Sequence, residues 1–378
     1  MDKLDFVFFD AGGGHRAAAT ALCLLIARQN RPWEVRLVNL QELLDPLDLA
    51  RKWFGTRLQD VYNLFLKKRW TLGSPQLLRL LQAIIRLYHR QEVDLLERYW
   101  QTRKPDLVVS FVPHFNRALC ESLSRACPGT PFVTVLTDLA DYPPHFWIER
   151  QRQYLVCGTD KAVAQALALG HTRERVFRVS GMILHPRFYE PIPVEREAER
   201  RKLGLDPSLP TGLLLFGGQG SPVMADIVRR LDRSGLDLQL VAICGHNDRL
   251  RRRLAAMKTR FPLCVEGFTN QVPYYMHLSD FFIGKPGPGS ISEALAMKLP
   301  VIVERNAWTL PQERYNADWI LEHGVGIVVP TFRRITRAVT ELLQPGRLAA
   351  LRARAAALNN RAVFELPEIL ARILAAGP

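Results

Sequence analysis

The sequence predicts an α/β protein of two domains, each built around a parallel sheet. Its 378 residues exceed the size at which a single hydrophobic core usually stops growing. Short apolar runs alternate along the chain with longer amphipathic segments, which is typical of βαβ units. A stretch with Pro186, Pro191 and Pro193 separates two sets of these runs, and proline stiffens extended linkers. We therefore expect one α/β domain on each side of this stretch.

Six strands are predicted in each domain. Those of the first lie at about residues 4–9, 33–39, 106–112, 131–137, 153–157 and 176–180. Those of the second are the runs TGLLLFGG, LQLVAICG, LCVEGF, DFFIGK, PVIVE and GIVV, each followed by a helical pattern. A charged helix is expected to begin near Glu195. The domains are placed at residues 1–188 and 189–378, and a last helix, at about 361–376, is expected to pack back on the first domain.

Composition restricts the class of protein and of partner. Apolar residues make up 48% of the chain, as in folded globules. The six cysteines form no C-x-x-C pair, so neither a zinc site nor a disulfide framework is predicted, and a reducing, cytosolic setting is expected. The N-terminus does not resemble a signal peptide, and no run of about 18 uncharged apolar residues occurs. A net charge of +14 suits nucleic acid, anionic lipid or a phosphorylated substrate.

A glycine-rich turn follows the first predicted strand of each domain: AGGGHR, with Gly13 and Gly14 before His15, and FGGQGS. Such turns let backbone N–H groups approach an anion at a helix N-terminus. The first turn lacks the G-x-G-x-x-G spacing, and the second strand ends at Asn39 rather than at an acidic residue, so the first turn is a poor dinucleotide fingerprint. A simple tight turn without a bound anion is the alternative. Two such domains facing across a cleft would bring both turns to one ligand site.

The segment GKPGPGSISEAL is a more specific signal for phosphate. A strand ends in Lys285, and a stiff turn leads into a helix that carries Glu293. Such a turn can hold a diphosphate on its amides while Glu293 reaches a ribose diol; the alternative is a rigid loop in which Glu293 caps the helix together with Ser290. No D-x-D motif and no histidine pair with ligand spacing occurs, so helix N-termini and cations, rather than a metal, are expected to neutralise the diphosphate.

Residues 49–90 combine basic and aromatic side chains. They hold nine Lys and Arg against one acid, Asp60. Amphipathic helices of this composition suit an interface with anionic lipid, although two ordinary surface helices with their aromatic residues in the core are the alternative. Nucleic-acid binding is less favoured, because no recognition signature accompanies the charge. The candidate membrane-docking residues are Arg51, Lys52, Trp53, Phe54, Lys67, Lys68, Arg69 and Trp70.

Taken in order, the motifs resemble those of the GT-B glycosyltransferases of family 28 and, within that family, the diacylglycerol galactosyl- and glucosyltransferases. The resemblance covers roughly Phe6 to Pro330, through AGGGHRAAA, VTVLTDLADYPPHFW, VSGMILHPRFYEP, FGGQGS, ICGHND, VEGF and KPGPGSISEAL with PQE. Met182 and Ile183 depart from the usual pattern of the third motif. The resemblance implies a GT-B fold of two Rossmann-like domains facing across a cleft.

The resemblance also implies roles for individual residues. On the donor side, the residues flanking the diphosphate would be Gly217, Gly218, Gln219, Gly220 and Ser221, and those holding phosphate would be Gly287, Gly289 and Ser290, with Lys285 stabilising its charge. Gly267 and Phe268 would border the uracil, Glu293 would bind the ribose, and Gln312 and Glu313 would bind the sugar hydroxyls. On the acceptor side Gly13, Gly14, His114 and Asn116 would line the cleft. His15 would be the general base, for which the pKa of histidine is suited, or would cap the helix or contact phosphate. Asp138 is the competing base, or the group that orients His15.

The implied function is inverting transfer of galactose or glucose from UDP-galactose or UDP-glucose to a lipid hydroxyl, with diacylglycerol as the expected acceptor and with no cofactor or metal. The protein is expected to be cytoplasmic and peripheral on the inner face of the cell membrane. Its expected partner there is an anionic membrane surface, and no nucleic acid is expected as a partner. Two other enzymes remain open: a UDP-N-acetylglucosamine transferase acting on a polyprenyl-linked peptidoglycan precursor, and a non-transferring UDP-sugar epimerase. A binding or docking protein without turnover is the alternative from another class.

Overall fold

The computed structural model describes residues 1–10, 14–45 and 74–377. These residues form two compact units. Unit 1 comprises Met1–Pro186, Leu310–Gln312 and the residues from Asn360 onward, and unit 2 comprises Arg187–Thr309 and Glu313–Asn359. The chain thus passes from unit 1 to unit 2 within the proline-rich stretch. The C-terminal helix, Ala362–Ala375, belongs to unit 1, where it packs on the first helix of the chain.

Unit 1 contains a parallel sheet of six strands in the order β2-β1-β3-β4-β5-β6. The strands are β1 (Asp2–Phe8), β2 (Trp33–Asn39), β3 (Leu107–Ser110), β4 (Phe132–Val135), β5 (Tyr154–Cys157) and β6 (Val176–Arg178). Among the described residues, the helices of this unit before Pro186 are α1 (Gly14–Arg28), α2 (Leu40–Leu44), α3 (Ser74–Arg103), α4 (Asn116–Ala126) and α5 (Asp160–Ala168). Each strand overlaps the run predicted for it.

The apolar strand sequences explain where the core of unit 1 lies. β3 and β4 are buried along their whole length, because helices cover both faces of a parallel sheet. On one face, α3 contributes Leu96 and Trp100, both fully buried. The indole nitrogen of Trp100 donates a hydrogen bond to Ser122 Oγ of α4 at 3.0 Å, which satisfies the polar atom of this large buried ring.

Unit 2 contains a second parallel sheet, in the order β12-β11-β10-β7-β8-β9. Its strands are β7 (Thr211–Leu215), β8 (Gln239–Ile243), β9 (Leu263–Glu266), β10 (Phe281–Gly284), β11 (Val301–Glu304) and β12 (Gly326–Val329). Its helices are α6 (Arg196–Lys202), α7 (Val223–Asp232), α8 (Asp248–Ala255), α9 (Val272–His277), α10 (Pro288–Ala296), α11 (Pro311–His323, in this unit from Glu313), α12 (Ile335–Leu342) and α13 (Arg347–Ala357). Each strand lies within its predicted run, so the α/β fold class is confirmed in both units.

The helix predicted near Glu195 is α6, and it is anchored to unit 2 by charge. Glu195 is its N-cap, where the carboxylate accepts a hydrogen bond from the backbone N–H of Ala198 at 2.9 Å. Arg196 and the buried Arg200 each contact a carboxylate oxygen of Asp280 at 2.7 Å, directly before β10. The chain that follows the proline-rich stretch is therefore fixed to the edge from which β10 begins.

In each sheet the chain reverses its direction of winding at one strand. In unit 1, β1 lies between β2 and β3; in unit 2, β7 lies between β8 and β10. Ligands of open α/β sheets bind outside the carboxyl ends of the strands at such points. The loops after β1 and β3, and those after β7 and β10, carry most of the candidate site residues. The topology therefore supports one candidate site region in each unit.

Candidate active site

His15 lies in the first turn of α1, at the carboxyl end of β1. Its Nδ1 atom is 3.0 Å from Oγ1 of Thr137, in the loop after β4, and its ring centroid is 5.7 Å from that of Trp147. Burial lowers the pKa of His15 to about 4, and a backbone hydrogen bond with Phe111 opposes this shift. The imidazole is therefore neutral at pH 7 and can accept a proton.

Asp138 follows Thr137 and is buried. Its Oδ2 atom accepts a hydrogen bond from the indole nitrogen of Trp147 at 2.9 Å. Trp147 is fully buried, and its backbone N–H donates to Asp141 Oδ1 at 2.6 Å. Because the same indole contacts the ring of His15, Asp138 is linked to His15 through Trp147. This geometry fits an orienting role for Asp138.

His114 follows β3, on the other side of the winding reversal. Its backbone has φ of +67°, a left-handed conformation that is uncommon outside glycine, and its N–H donates to the Phe146 carbonyl at 2.7 Å. Burial, and to a lesser degree the neighbouring His15, lower the pKa of His114 to about 4. Its Nδ1 atom is buried and has no hydrogen-bond partner among the described residues. Non-glycine residues held in this conformation cluster at functional sites.

Asn116 does not line a cleft, contrary to the expectation from sequence. Its side chain is 1% exposed. Oδ1 accepts a hydrogen bond from Ser110 Oγ at 2.6 Å, and Nδ2 donates to the carbonyls of Val112 and Trp147, both at 3.0 Å. The amide thereby ties the loop after β3 to the Trp147 loop. Asn116 is a structural residue of the site, since its amide is buried and makes three hydrogen bonds within unit 1.

The glycine turn after β7 packs against the loop after β8. Gly220 has φ of +57°, and a Cβ atom there would lie 2.6 Å from the Cys244 carbonyl oxygen. A Cβ atom on Gly245 would lie 2.1 Å from the Gly218 carbonyl oxygen. By contrast, nothing lies within 4 Å of a Cβ atom on Gly218, so the backbone there is open on that side. The turn, which continues to Gln219 and Ser221, requires glycine for its own geometry.

The turn after β10 leads directly into α10. The N-cap of this helix is Gly287, without a side-chain hydrogen bond, and Pro288 is in the first turn. The capping interpretation of Ser290 with Glu293 is therefore wrong, because Ser290 lies inside the helix. Gly289 and Ser290 are in the first turn, where helices leave backbone N–H groups without intrahelical partners. This is a suitable geometry for a phosphate.

Helix α11 holds the same turn from the other side. Lys285 Nζ lies 3.1 Å from Oε1 of the buried Glu313, and a Cβ atom on Gly287 would lie 3.2 Å from Lys285 Cε. Asn316, which is fully buried, donates from Nδ2 to the Pro286 carbonyl at 2.8 Å. Glu313 thus orients Lys285 along the turn, whereas its expected contact with the sugar stays a prediction, as does that of the half-buried Gln312.

Glu293 and Phe268 complete the donor-side candidates. Burial raises the pKa of Glu293 to about 7, and the Arg187 charge opposes this shift. Phe268 is 63% exposed, and its ring is stacked on that of His246 with centroids 4.0 Å apart. Gly267 lies beside the side chain of Arg251, whose Cδ would be 3.2 Å from a Cβ atom there.

Some candidates fall outside the described residues. These are Gly13 and the membrane-docking candidates Arg51, Lys52, Trp53, Phe54, Lys67, Lys68, Arg69 and Trp70. In the part of the chain that the structure does describe, no helix is both long and apolar enough to cross a membrane. The same part contains no group of three or more His, Cys, Asp or Glu side chains arranged to hold a metal ion.

Three residues of the candidate site were not singled out from the sequence. Thr137 contacts His15, Trp147 contacts both His15 and Asp138, and His246 stacks on Phe268. Thr137 and Trp147 lie in the motif VTVLTDLADYPPHFW, which already carried the resemblance to family 28. Two signals in the sequence could have indicated them: Thr137 directly precedes Asp138, and aromatic residues follow Asp138 in the same motif.

Comparisons with known proteins bear on the fold and the family. Residues 213–371 match the glycosyltransferase family 28 C-terminal domain. The chain is 29% identical over 350 residues to a probable monogalactosyldiacylglycerol synthase 2, chloroplastic, of Oryza sativa subsp. japonica, in an alignment covering 87% of this chain and 71% of the relative. Its fold is similar to that of MurG from Acinetobacter baumannii, with a TM-score of 0.63, 12% identity and coverage of 98% and 100%. It is also similar to MnaA of S. aureus in a co-structure with UDP, with a TM-score of 0.59, 18% identity and coverage of 94% and 91%.

The fold defines a two-domain, Rossmann-like α/β protein of the GT-B class. Within that class, the matched domain and the curated relatives support a glycosyltransferase of family 28. The comparisons thereby support the resemblance drawn from the motifs at the level of the family.

Proposed function

We propose that this protein transfers galactose or glucose from the corresponding UDP-sugar to a lipid hydroxyl, that of diacylglycerol, with inversion at the anomeric carbon. The observation that carries the proposal is the neutral His15, held by Thr137 at the winding reversal of unit 1. The name of the rice relative, a monogalactosyldiacylglycerol synthase, supports the sugar and the acceptor. The co-structure of MnaA with UDP supports a uridine nucleotide as donor.

In this proposal the chemistry begins at the acceptor hydroxyl. The hydroxyl oxygen attacks the anomeric carbon as the bond from that carbon to the UDP oxygen breaks, and the hydroxyl proton passes to His15. In the tautomer in which Nδ1 donates to Thr137, Nε2 carries the lone pair that takes the proton. A well-placed general base contributes roughly 10²- to 10⁴-fold to such a step. UDP leaves with the electron pair of the broken bond.

Unit 2 would bind the donor and stabilise the leaving group. The diphosphate would lie against the turns after β7 and β10, where Lys285 and the first-turn amides of α10 offer positive charge and N–H donors. Glu293 would accept hydrogen bonds from the ribose, and Gln312 and Glu313 would face the sugar. These groups neutralise the departing diphosphate, so we propose that no metal or other cofactor takes part.

We further propose that the protein is peripheral on the inner face of the cell membrane and meets its acceptor there. The residues between 51 and 70 would dock on anionic lipid, so the acceptor would enter from the bilayer and the donor from water. Replacing Lys67, Lys68 and Arg69 by glutamine should weaken binding to vesicles that contain anionic phospholipid and leave the affinity for UDP unchanged. Undiminished vesicle binding would contradict the docking proposal.

The proposed reaction is tested by product identification. The protein is incubated separately with UDP-galactose, UDP-glucose and UDP-N-acetylglucosamine, in vesicles containing diacylglycerol, with and without EDTA, and the lipids are analysed by mass. A hexosyl-diacylglycerol formed equally well with EDTA supports the proposal. Transfer only from UDP-N-acetylglucosamine to an added polyprenyl-linked acceptor would contradict it. A UDP-sugar epimer formed without any acceptor would contradict it in favour of an epimerase.

A further inference from the structure

An exposed pair of aromatic rings lies beside the glycine turn of unit 2. His246 follows β8 and Phe268 follows β9, and their planes are only 16° apart at a centroid distance of 4.0 Å. Both side chains are exposed, and Phe268 is accessible over 63% of its surface although His246 covers one face of its ring. The other face of the Phe268 ring is therefore open to a ligand.

The backbone beneath the pair is fixed to the turn. The His246 N–H donates to the Gly218 carbonyl at 2.8 Å, and Gly245 permits this approach because it has no Cβ atom. Asn247 Nδ2 donates to the Gln219 carbonyl at 3.3 Å. Because β7, β8 and β9 are neighbours in the sheet, their carboxyl-end loops follow one another along one edge. The ring pair therefore adjoins the turn proposed to hold the diphosphate.

We propose that His246 is a positioning residue for the nucleobase of the donor, holding the Phe268 ring as a platform on which the base stacks. This inference rests on the proposed function, since it takes the ligand to be a nucleoside diphosphate sugar with its diphosphate on the adjoining turn. A flat heteroaromatic base stacks readily on an aromatic side chain. A ring already held by a neighbour loses less conformational freedom when the base binds. Through Phe268, the imidazole thus contributes to affinity for the nucleoside but not for phosphate.

The test compares two ligands and three variants. Affinities for UDP and for inorganic pyrophosphate are measured by calorimetry on the full chain, for the wild type, His246→Ala and His246→Phe. His323→Ala is the matched control, because His323 is an exposed histidine of the same unit stacked on Trp319 at 4.2 Å, at the far end of α11. His246→Ala should weaken UDP binding by roughly 3- to 10-fold, the range expected for one aromatic pair, and leave pyrophosphate binding unchanged. His246→Phe should restore UDP binding, and His323→Ala should resemble the wild type.

Three results would overturn the inference. If the wild type binds no UDP, the proposed function fails and the inference fails with it. If the wild type binds UDP and His246→Ala binds it equally tightly, the inference alone is contradicted. If His246→Ala weakens UDP and pyrophosphate to the same degree, the substitution has disturbed the glycine turn, and a role toward the base is contradicted as well.

Discussion

The Nδ1 atom of His15 lies 3.0 Å from Oγ1 of Thr137, although 122 positions separate the two residues in the chain. The contact exists because β1 and β4 end at the same edge of the sheet, separated by β3 alone. A hydroxyl at Nδ1 fixes the orientation of the imidazole, which a general base requires. Thr137 is therefore expected to matter for turnover rather than for binding.

Removing the hydroxyl of Thr137 tests this role. Thr137→Val, which keeps the shape of the side chain, should lower kcat by about 5- to 10-fold, the effect of one lost hydrogen bond, with little change in KM for the donor. Thr137→Ser keeps a hydroxyl and should retain most of the activity. Steady-state kinetics on both variants provide the measurement. Equal kcat values for the valine variant and the wild type would contradict a role for Thr137 at His15.

The pair of Asp138 and Trp147 tests which residue is the base. If Asp138 acts through Trp147, Asp138→Ala and Trp147→Phe should each lower kcat by about 10-fold. The double variant should then lose no more activity than the less active single variant, since both substitutions remove the same hydrogen bond. UDP affinity serves as the control for folding. If Asp138 is itself the base, Asp138→Ala should cost 10²-fold or more while Trp147→Phe costs far less. That second pattern would remove the assignment of His15.

The lowered pKa of His15 predicts the acid limb of the rate profile. A histidine with its ordinary pKa of 6.5 would protonate and lose activity as the pH falls below 6.5, whereas burial holds the pKa of His15 at about 4. With both substrates saturating, kcat should therefore stay level from pH 8 to about pH 5 and decline only below that. Rates measured at saturating donor give the profile, because the titration of Glu293 then no longer limits donor binding. A decline with its midpoint at pH 6.5 would contradict the lowered pKa of His15.

The raised pKa of Glu293 predicts how donor affinity depends on pH. A carboxylate accepts hydrogen bonds from both ribose hydroxyls, so binding favours the ionised form, which prevails above the pKa of about 7. Affinity for UDP-glucose, in which both phosphates are esterified, should rise by about 10-fold from pH 6 to pH 8, because the competent fraction rises through this range. Glu293→Gln should bind more weakly and without this dependence. The same pH profile in wild type and variant would contradict a role for Glu293 at the ribose.

The sequence predicted all the strands of both sheets, and the reason is physical. Strands of a parallel sheet are covered on both faces, so β3, β4 and β10 read as short continuous apolar runs. The glycine turn after β7 was predictable as well, because the positive φ of Gly220 and the close approach of Gly245, after β8, to Gly218 leave glycine as the fitting residue.

Side-chain partners were harder to predict than strands. The contact between His15 and Thr137 depends on which strand ends are neighbours, and the order of strands is not written in any local pattern. Asn116 looked like a ligand-binding residue because it is polar and follows a strand, yet three hydrogen bonds inside the unit take up its amide. Ser290 looked like a helix cap, but Pro288 starts the helix earlier, since proline is favoured in the first turn.

The most direct measurement is the initial rate of hexose transfer to diacylglycerol in vesicles, compared between the wild type and His15→Ala. UDP-galactose and UDP-glucose serve as separate donors, and UDP affinity is measured on the same samples. His171→Ala, whose ring contacts a backbone carbonyl elsewhere in unit 1, is the matched control. The account predicts that His15→Ala lowers transfer by about 10²-fold or more while UDP binding and the control variant stay near the wild type. Near-normal transfer by His15→Ala, or no hexosyl-diacylglycerol from the wild type with either donor, would contradict it.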